Sequence, residues 1–171
     1  MTLNDLYQRP GFLLRRTHQI SAAVFENACA SVGLTPAQYG VLTVLAAEPG
    51  LDQTRLSRAL AFDKVTVMRV LKGLEERGLV SRERSSVSRR QMTVSLTPEG
   101  ETLLAAAREP AERAYQRLLS PLTPAQRRQL IELLQTLTDG LADEARAPFV
   151  PLEANAAEAC APRTRTRHSP S

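Results

Sequence analysis

Apolar residues recur at helical spacing along most of this chain and alternate with polar residues in one short stretch only. Val67, Val70, Leu71 and Leu74 follow the i, i+3, i+4, i+7 pattern that places side chains on one face of a helix. Over residues 91–96, apolar and polar residues alternate, as they do in a half-buried strand. The pattern predicts a mainly α fold with a small β-hairpin.

Helix starts are marked by the phrase Leu-Thr-Pro, which occurs three times, with its threonine at Thr35, Thr97 and Thr123. A threonine at this place caps free backbone N–H groups, and a proline at the first helical position has no N–H to satisfy. These signals and the periodicity predict helices at about residues 10–31, 36–47, 53–60, 64–77, 98–119 and 124–145.

Two of these helices, 53–60 and 64–77, are separated by a connection of three residues, and the second one ends at Gly78. Residues 79–97 then read as a hairpin with a tip rich in serine and arginine. This order predicts a helix-turn-helix followed by a basic β-wing. The second helix would enter a DNA major groove, and wing arginines would reach phosphates or the minor groove.

The predicted organisation is one domain over residues 1–147, with the winged helix-turn-helix at 36–97. The flanking helices, 10–31 and 98–145, carry apolar stripes, and we expect them to pack two chains into a homodimer. A two-fold dimer places two recognition helices about 34 Å apart on one DNA face. Residues 148–171 lack periodicity and are predicted to form a disordered basic tail.

Composition narrows the function classes. Aromatic residues make up 4% of the chain, which disfavours a base-stacking platform for single-stranded nucleic acid. The net charge of +4 clusters at the wing and in the tail. The chain has no apolar run of membrane-spanning length and no signal-peptide pattern, so we expect a cytoplasmic protein without membrane partners. No phosphate loop, nucleophile motif or metal-spaced cluster is present, so neither catalysis, nor a metal, nor a cofactor is predicted.

The predicted DNA contacts fall on the recognition helix, the start of the preceding helix and the wing. Arg69 has the reach to pair with a guanine, and Val65 or Met68 to meet a thymine methyl group. The competing interpretation is an ordinary solvated face. The predicted residues are Gln53, Thr54, Arg55, Lys64, Val65, Thr66, Met68, Arg69, Lys72, Arg84, Ser86, Arg89 and Arg90.

The order of parts resembles the MarR family of bacterial transcription regulators over about residues 10–145. The resemblance rests on four motifs: Gly33-Leu34-Thr35-Pro36-Ala37-Gln38-Tyr39, Leu56-Ser57-Arg58-Ala59-Leu60, Leu74-Glu75-Glu76-Arg77-Gly78-Leu79-Val80 and Leu96-Thr97-Pro98-Glu99-Gly100. It implies a homodimer that binds double-stranded DNA at a palindromic operator, usually as a repressor. It also implies release by a small ligand, often a phenolic or aromatic carboxylate, or by thiol oxidation.

The wing departs from the family pattern, which usually reads Asp-x-Arg. Here Arg90 matches the arginine, but Ser88 replaces the acid, and Gly73 stands where the family often has an arginine on the recognition helix. If those two groups normally pair, both halves are missing together. The wing is then either looser or oriented by other contacts.

For an effector, the resemblance implies a site between the dimerisation helices and the DNA-binding lobe. An arginine there would hold a carboxylate bidentately, and a histidine would donate a hydrogen bond or change charge near neutral pH. These groups have an equally strong alternative role in stabilising the dimer. The candidate residues are Tyr7, Phe12, Arg15, Arg16 and His18.

Two alternatives stay open. A repressor that responds to thiol oxidation would use Cys29, although no lysine, arginine or histidine flanks it to lower its pKa. A winged helix that binds an acidic protein instead of DNA would use the same basic wing.

Overall fold

The helices begin at the caps that the sequence marks. The hydroxyl oxygens of Thr35, Thr97 and Thr123 each accept a backbone N–H from the third helical residue, and Gln38 and Gln126 complete reciprocal capping boxes. The structure is a computed structural model, and it describes residues 2–84 and 92–152. The helices are α1 Leu3–Tyr7, α2 Pro10–Ala28, α3 Pro36–Ala47, α4 Gln53–Ala59, α5 Lys64–Glu76, α6 Pro98–Leu119 and α7 Pro124–Gly140, followed by a 3-10 turn Ala142–Glu144.

Two helices end several residues earlier than predicted, whereas α4 and α5 end within one residue of the prediction. The first long helix stops at Ala28 rather than near residue 31, because the Cys29 carbonyl accepts the N–H groups of Val32 and Gly33 in a turn. Gly33 adopts a φ of +60°, which suits a glycine. The last helix stops at Gly140 rather than near residue 145. The short α1 was not predicted.

Three antiparallel strands form a sheet in the order β1-β3-β2, with β1 Leu51–Asp52, β2 Val80–Arg84 and β3 Met92–Leu96. The predicted hairpin is confirmed, with Val80 opposite Leu96. Strand β1 was not predicted, because two residues carry no periodicity and Leu51 finds its partner, Val94, far along the chain.

The core of the winged lobe lies where α3, α4 and α5 meet the sheet. Its fully buried side chains are aliphatic and include Leu42, Leu45, Leu56, Leu71 and Leu74. The predicted buried face of α5 is confirmed for Val67, Leu71 and Leu74, while Val70 is half-buried. Because this face of α5 is buried, its opposite face is exposed to solvent.

A close crossing holds the start of α6 against the end of α5. The Thr97 hydroxyl donates to the Gly78 carbonyl (2.7 Å) and accepts the Gly100 N–H (3.0 Å). A Cβ on Gly100 would lie 2.1 Å from the Leu79 carbonyl oxygen, so only glycine fits there. This contact accounts physically for the Leu-Thr-Pro-Glu-Gly motif.

Helix α2 packs on α6 in a second, smaller core. Phe25 and Cys29 meet Ala111 and Ala114, and the Phe25 ring lies 5.5 Å from the Tyr39 ring. No helix in the described ranges 2–84 and 92–152 combines the length and apolarity needed to cross a membrane.

Much of the predicted apolar stripe of the flanking helices is exposed within one chain. Leu13, Leu14 and Ile20 on α2 are about half exposed, as are Leu133 and Leu137 on α7. Exposed leucines at this density leave an apolar surface that one chain does not cover.

The C-terminal segment contacts the winged lobe, although a structureless tail was predicted from residue 148. The Val150 N–H donates to the Arg58 carbonyl (3.0 Å), Ala147 is buried, and Leu152 packs against the main core. These residues carry no helical or strand period, so the pattern could not predict the contact. The rest of the predicted tail, 153–171, lies outside the described residues.

Candidate nucleic-acid interface

Helix α5 presents a polar and basic face to solvent at its N-terminal half. Asp63 caps it by accepting the Thr66 N–H (2.7 Å), and hydrogen bonds from Thr66 lower the pKa of the Asp63 carboxyl. With the helix anchored by its buried face, Val65 is 76% exposed and Met68 48%. The other outward predicted residues are Lys64, Arg69 and Lys72, with Thr66 half-buried.

The start of α4 lies beside the start of α5. Asp52 caps α4 by accepting the N–H groups of Thr54 (2.8 Å) and Arg55 (2.9 Å). Between the two helices lies a cleft of about 420 Å³, lined by Gln53, Thr54, Ser57, Lys64, Val67 and Met68. The structure therefore brings four predicted DNA contacts into one groove.

Arg55 is already engaged, because its guanidinium lies 2.6 Å from a Glu48 carboxylate oxygen. Lys72 pairs more loosely with Glu76, at 3.7 Å. Arg84 is exposed at the end of β2. Ser86, Arg89 and Arg90 lie outside the described residues, as does Ser88.

The wing root carries a contact that the sequence patterns did not reveal. Arg82 Nε on β2 lies 3.3 Å from Glu75 Oε2 on α5. At Gly73, a Cβ would lie 3.7 Å from Gln38 Nε2, which is ordinary packing distance. Local sequence spacing could not predict the contact between Glu75 and Arg82, because it joins a helix to a strand.

Three of the five predicted effector residues come together. The rings of Tyr7 and Phe12 lie 5.3 Å apart, and the Arg15 guanidinium lies 5.3 Å from the Phe12 ring centre. Arg16 and His18 are exposed on the same helix. Arg16 follows Phe12 by four positions and shares its face, whereas His18, six positions on, faces another side.

A larger apolar cleft was missed from the sequence. It has a volume of about 1110 Å³ and lies between the end of α7, the N-terminal half of α2 and the turn before α5. Its lining includes Leu14, Ala61, Leu134, Leu137, Leu141 and Phe149. The leucine period of α7 was the available signal, but the contribution of Phe149 depends on how the C-terminal segment folds back.

Cys29 sits inside the smaller core with no exposed surface. Burial raises the pKa of its thiol, and the nearby Arg113 opposes this shift only in part. A raised pKa and a closed environment are the opposite of what a reactive sensor cysteine needs.

Comparison with known proteins adds a family and several relatives. The family model described as MarR family matches residues 32–91. A putative transcriptional regulatory protein for the hcr operon of Thauera aromatica is 36% identical over 128 residues, which cover 74% of this chain and 77% of that protein.

Solved structures share the fold closely. The transcriptional repressor CouR, bound to a 23-mer DNA duplex, has a TM-score of 0.73 and 34% identity, covering 81% of this chain and 98% of that one. BpsR of Bordetella bronchiseptica, whose DNA binding is regulated by 6-hydroxynicotinic acid, has a TM-score of 0.73 and 32% identity, covering 78% and 95%.

Proposed function

This chain belongs to the MarR family of transcriptional regulators, which are non-enzymatic DNA-binding proteins, and we propose that it is a homodimeric repressor released from a palindromic operator by a small aromatic acid. The observation that carries the proposal is the outward face of α5 beside the groove at the start of α4. Lysine, arginine and methyl-bearing side chains are exposed there on a helix whose opposite face is buried in the core.

For DNA binding, the groove supplies both kinds of contact that a duplex requires. The polar side chains of Gln53 and Thr54 at the start of α4 suit phosphates, whereas Val65, Met68 and Arg69 suit base edges. The similarity to CouR, which was solved on a DNA duplex, supports this assignment. We assign Arg84 and the wing residues Ser86, Arg89 and Arg90 to the phosphates or the minor groove.

The homodimer accounts for the apolar surface of α2 and α7. About half of each of several leucine side chains would leave water on pairing, and burial contributes about 25 cal/mol per Å² of apolar area. The pairing would also set the distance between the two α5 helices, which must match successive major grooves.

For the effector, Tyr7, Phe12 and Arg15 offer aromatic faces beside a cation, the chemistry that an aromatic carboxylate requires. We keep Arg16 and His18 as further candidates. The regulation of BpsR by 6-hydroxynicotinic acid supports this ligand class. A ligand that favours a helix spacing unlike the operator's would weaken DNA binding about 5–150-fold through a coupling of about 1–3 kcal/mol.

The test is a titration of the protein into labelled DNA from its own upstream region, at a stated salt concentration, with random duplex as competitor. We expect competitor-resistant binding that one member of a panel of aromatic acids releases. A matched experiment with Arg15→Ala should lose the release and keep the binding. Binding no tighter than to random duplex would contradict the proposal and favour a winged helix that docks on an acidic protein.

A further inference from the structure

One ion pair joins the outward helix of the site to the strand that leads into the wing. Arg82 Nε lies 3.3 Å from Glu75 Oε2, with the two side chains 26% and 46% exposed. The Nε atom itself is buried and has no hydrogen-bond partner among the described residues. The carboxylate of Glu75 therefore lies within ion-pair distance of a guanidinium whose Nε atom is shielded from water, although the Arg82 side chain as a whole is about a quarter exposed.

The ion pair lies between the end of α5 and the middle of the strand that precedes the wing. Glu75 lies in the last turn of α5, and Arg82 is the middle residue of β2, opposite Val94. Alternation puts Arg82 on the same face of the strand as buried Val80 and exposed Arg84. A constraint at Arg82 therefore bears on where Arg84, two residues further along the same face of the strand, is held.

We propose that Glu75 and Arg82 are positioning residues of the wing: their ion pair holds β2 against the end of α5 and sets where Arg84 meets the DNA. The inference rests on the proposed DNA-binding function. Glu75 itself touches no DNA in this proposal and acts through Arg82.

Removing the Glu75 carboxylate should weaken DNA binding, although the loss of a negative charge ordinarily strengthens it. A carboxylate near DNA repels phosphates, so its removal alone should strengthen binding. Glu76 gives the matched control, since it is the next residue on the same helix and pairs with Lys72 on that helix rather than with the wing. We expect Glu76→Gln to bind equally or slightly more tightly, and Glu75→Gln to bind about 3- to 10-fold more weakly.

The first measurement uses the free protein. Amide hydrogen exchange over Val80–Arg84 and Met92–Leu96 reports how firmly the hairpin is held. We expect Glu75→Gln to speed exchange there by roughly fivefold, with Glu76→Gln unchanged. Equal exchange in the two variants would overturn the proposal. The reversed double variant, Glu75→Arg with Arg82→Glu, should bring the exchange back toward the wild-type rate.

The second measurement uses operator DNA. In an Arg84→Ala background, Glu75→Gln should cost less DNA affinity than it does in the wild type. The reason is that the arginine whose position the ion pair sets has already been removed. Additive losses, or a Glu75→Gln variant that binds like Glu76→Gln, overturn the positioning role alone. A wild-type protein with no preference for its own upstream DNA would instead overturn the proposed function, while the exchange result would still report on the ion pair.

Discussion

Arg77 Nη1 lies 2.8 Å from the carbonyl oxygen of Gly33, a residue 44 positions earlier in the chain. The same guanidinium donates to the Val32 carbonyl (3.1 Å). Arg77 is the C-cap residue of α5, and Gly33 stands in the turn that follows α2. The Arg77 side chain therefore links α5, the helix proposed to bind DNA, to the turn after α2, a helix proposed to form the dimer.

We expect Arg77→Ala to lower the free energy of unfolding by about 1–2 kcal/mol, because two hydrogen bonds from a charged donor are lost. Arg77→Lys should recover only part of this, since an ammonium lacks the planar fork that reaches two carbonyls. Urea unfolding of the three proteins measures the difference. Stabilities equal to that of the wild type in both variants would show that the bonds contribute nothing.

Gly100→Ala tests the crossing of α6 over Leu79. The added Cβ would meet the Leu79 carbonyl oxygen at 2.1 Å, so backbone must shift, and we expect a loss of more than about 2 kcal/mol. Gly140→Ala is the control, because nothing lies within 4 Å of a Cβ there. Replacing a helical glycine with alanine raises the free energy of unfolding by up to about 1 kcal/mol, so Gly140→Ala should not be destabilised. Thermal melts that rank the two variants equally would contradict the crossing.

The sequence predicts best those features whose cause is local. The caps at Thr35, Thr97 and Thr123 set the starts of α3, α6 and α7, and each depends on a residue three positions away. The buried face of α5 follows from its period in the same way. These local features were sufficient to predict the winged helix-turn-helix.

Features that join distant parts of the chain escaped prediction. Strand β1 exists because Leu51 pairs with Val94, and the C-terminal segment is held because the Val150 N–H meets the Arg58 carbonyl. The Glu75–Arg82 pair and the cleft beside Phe149 are of the same kind. No spacing rule encodes them, because the neighbours are set by how the helices pack.

Cys29 should be inert in the folded protein. The chain has two cysteines, so the test uses a protein in which the other one, Cys160, is replaced by serine. We expect an aromatic disulfide reagent to modify Cys29 in this Cys160→Ser variant only as fast as the protein unfolds, because the thiol is buried and its pKa is raised. Peroxide should leave operator binding unchanged in the wild type and in Cys29→Ser. Fast modification, with an oxidant response that Cys29→Ser abolishes, would establish the thiol switch instead.

Acid should remove the contribution of the Asp63 cap. Hydrogen bonds from Thr66 lower the pKa of this carboxyl in the folded state, so its stabilisation is present above the unfolded pKa, near 3.9, and is lost as pH falls through the folded value. Melting temperatures of the wild type and Asp63→Asn should differ at pH 7, and the difference should shrink as the pH falls below ~3.9 and through the lowered folded-state pKa.

Arg69 and Arg90 should fail in different ways when truncated. If Arg69 contacts a base, Arg69→Ala should lose about 1–3 kcal/mol of binding free energy on the operator and little on random duplex.

If Arg90 contacts a phosphate or the minor groove, Arg90→Ala should weaken binding to every sequence and lower the slope of affinity against salt concentration by about one. Arg128→Ala, on the exposed surface of α7, is the control for lost charge. An unchanged slope would remove Arg90 from the contact set, and equal losses on both DNAs would make Arg69 a phosphate contact.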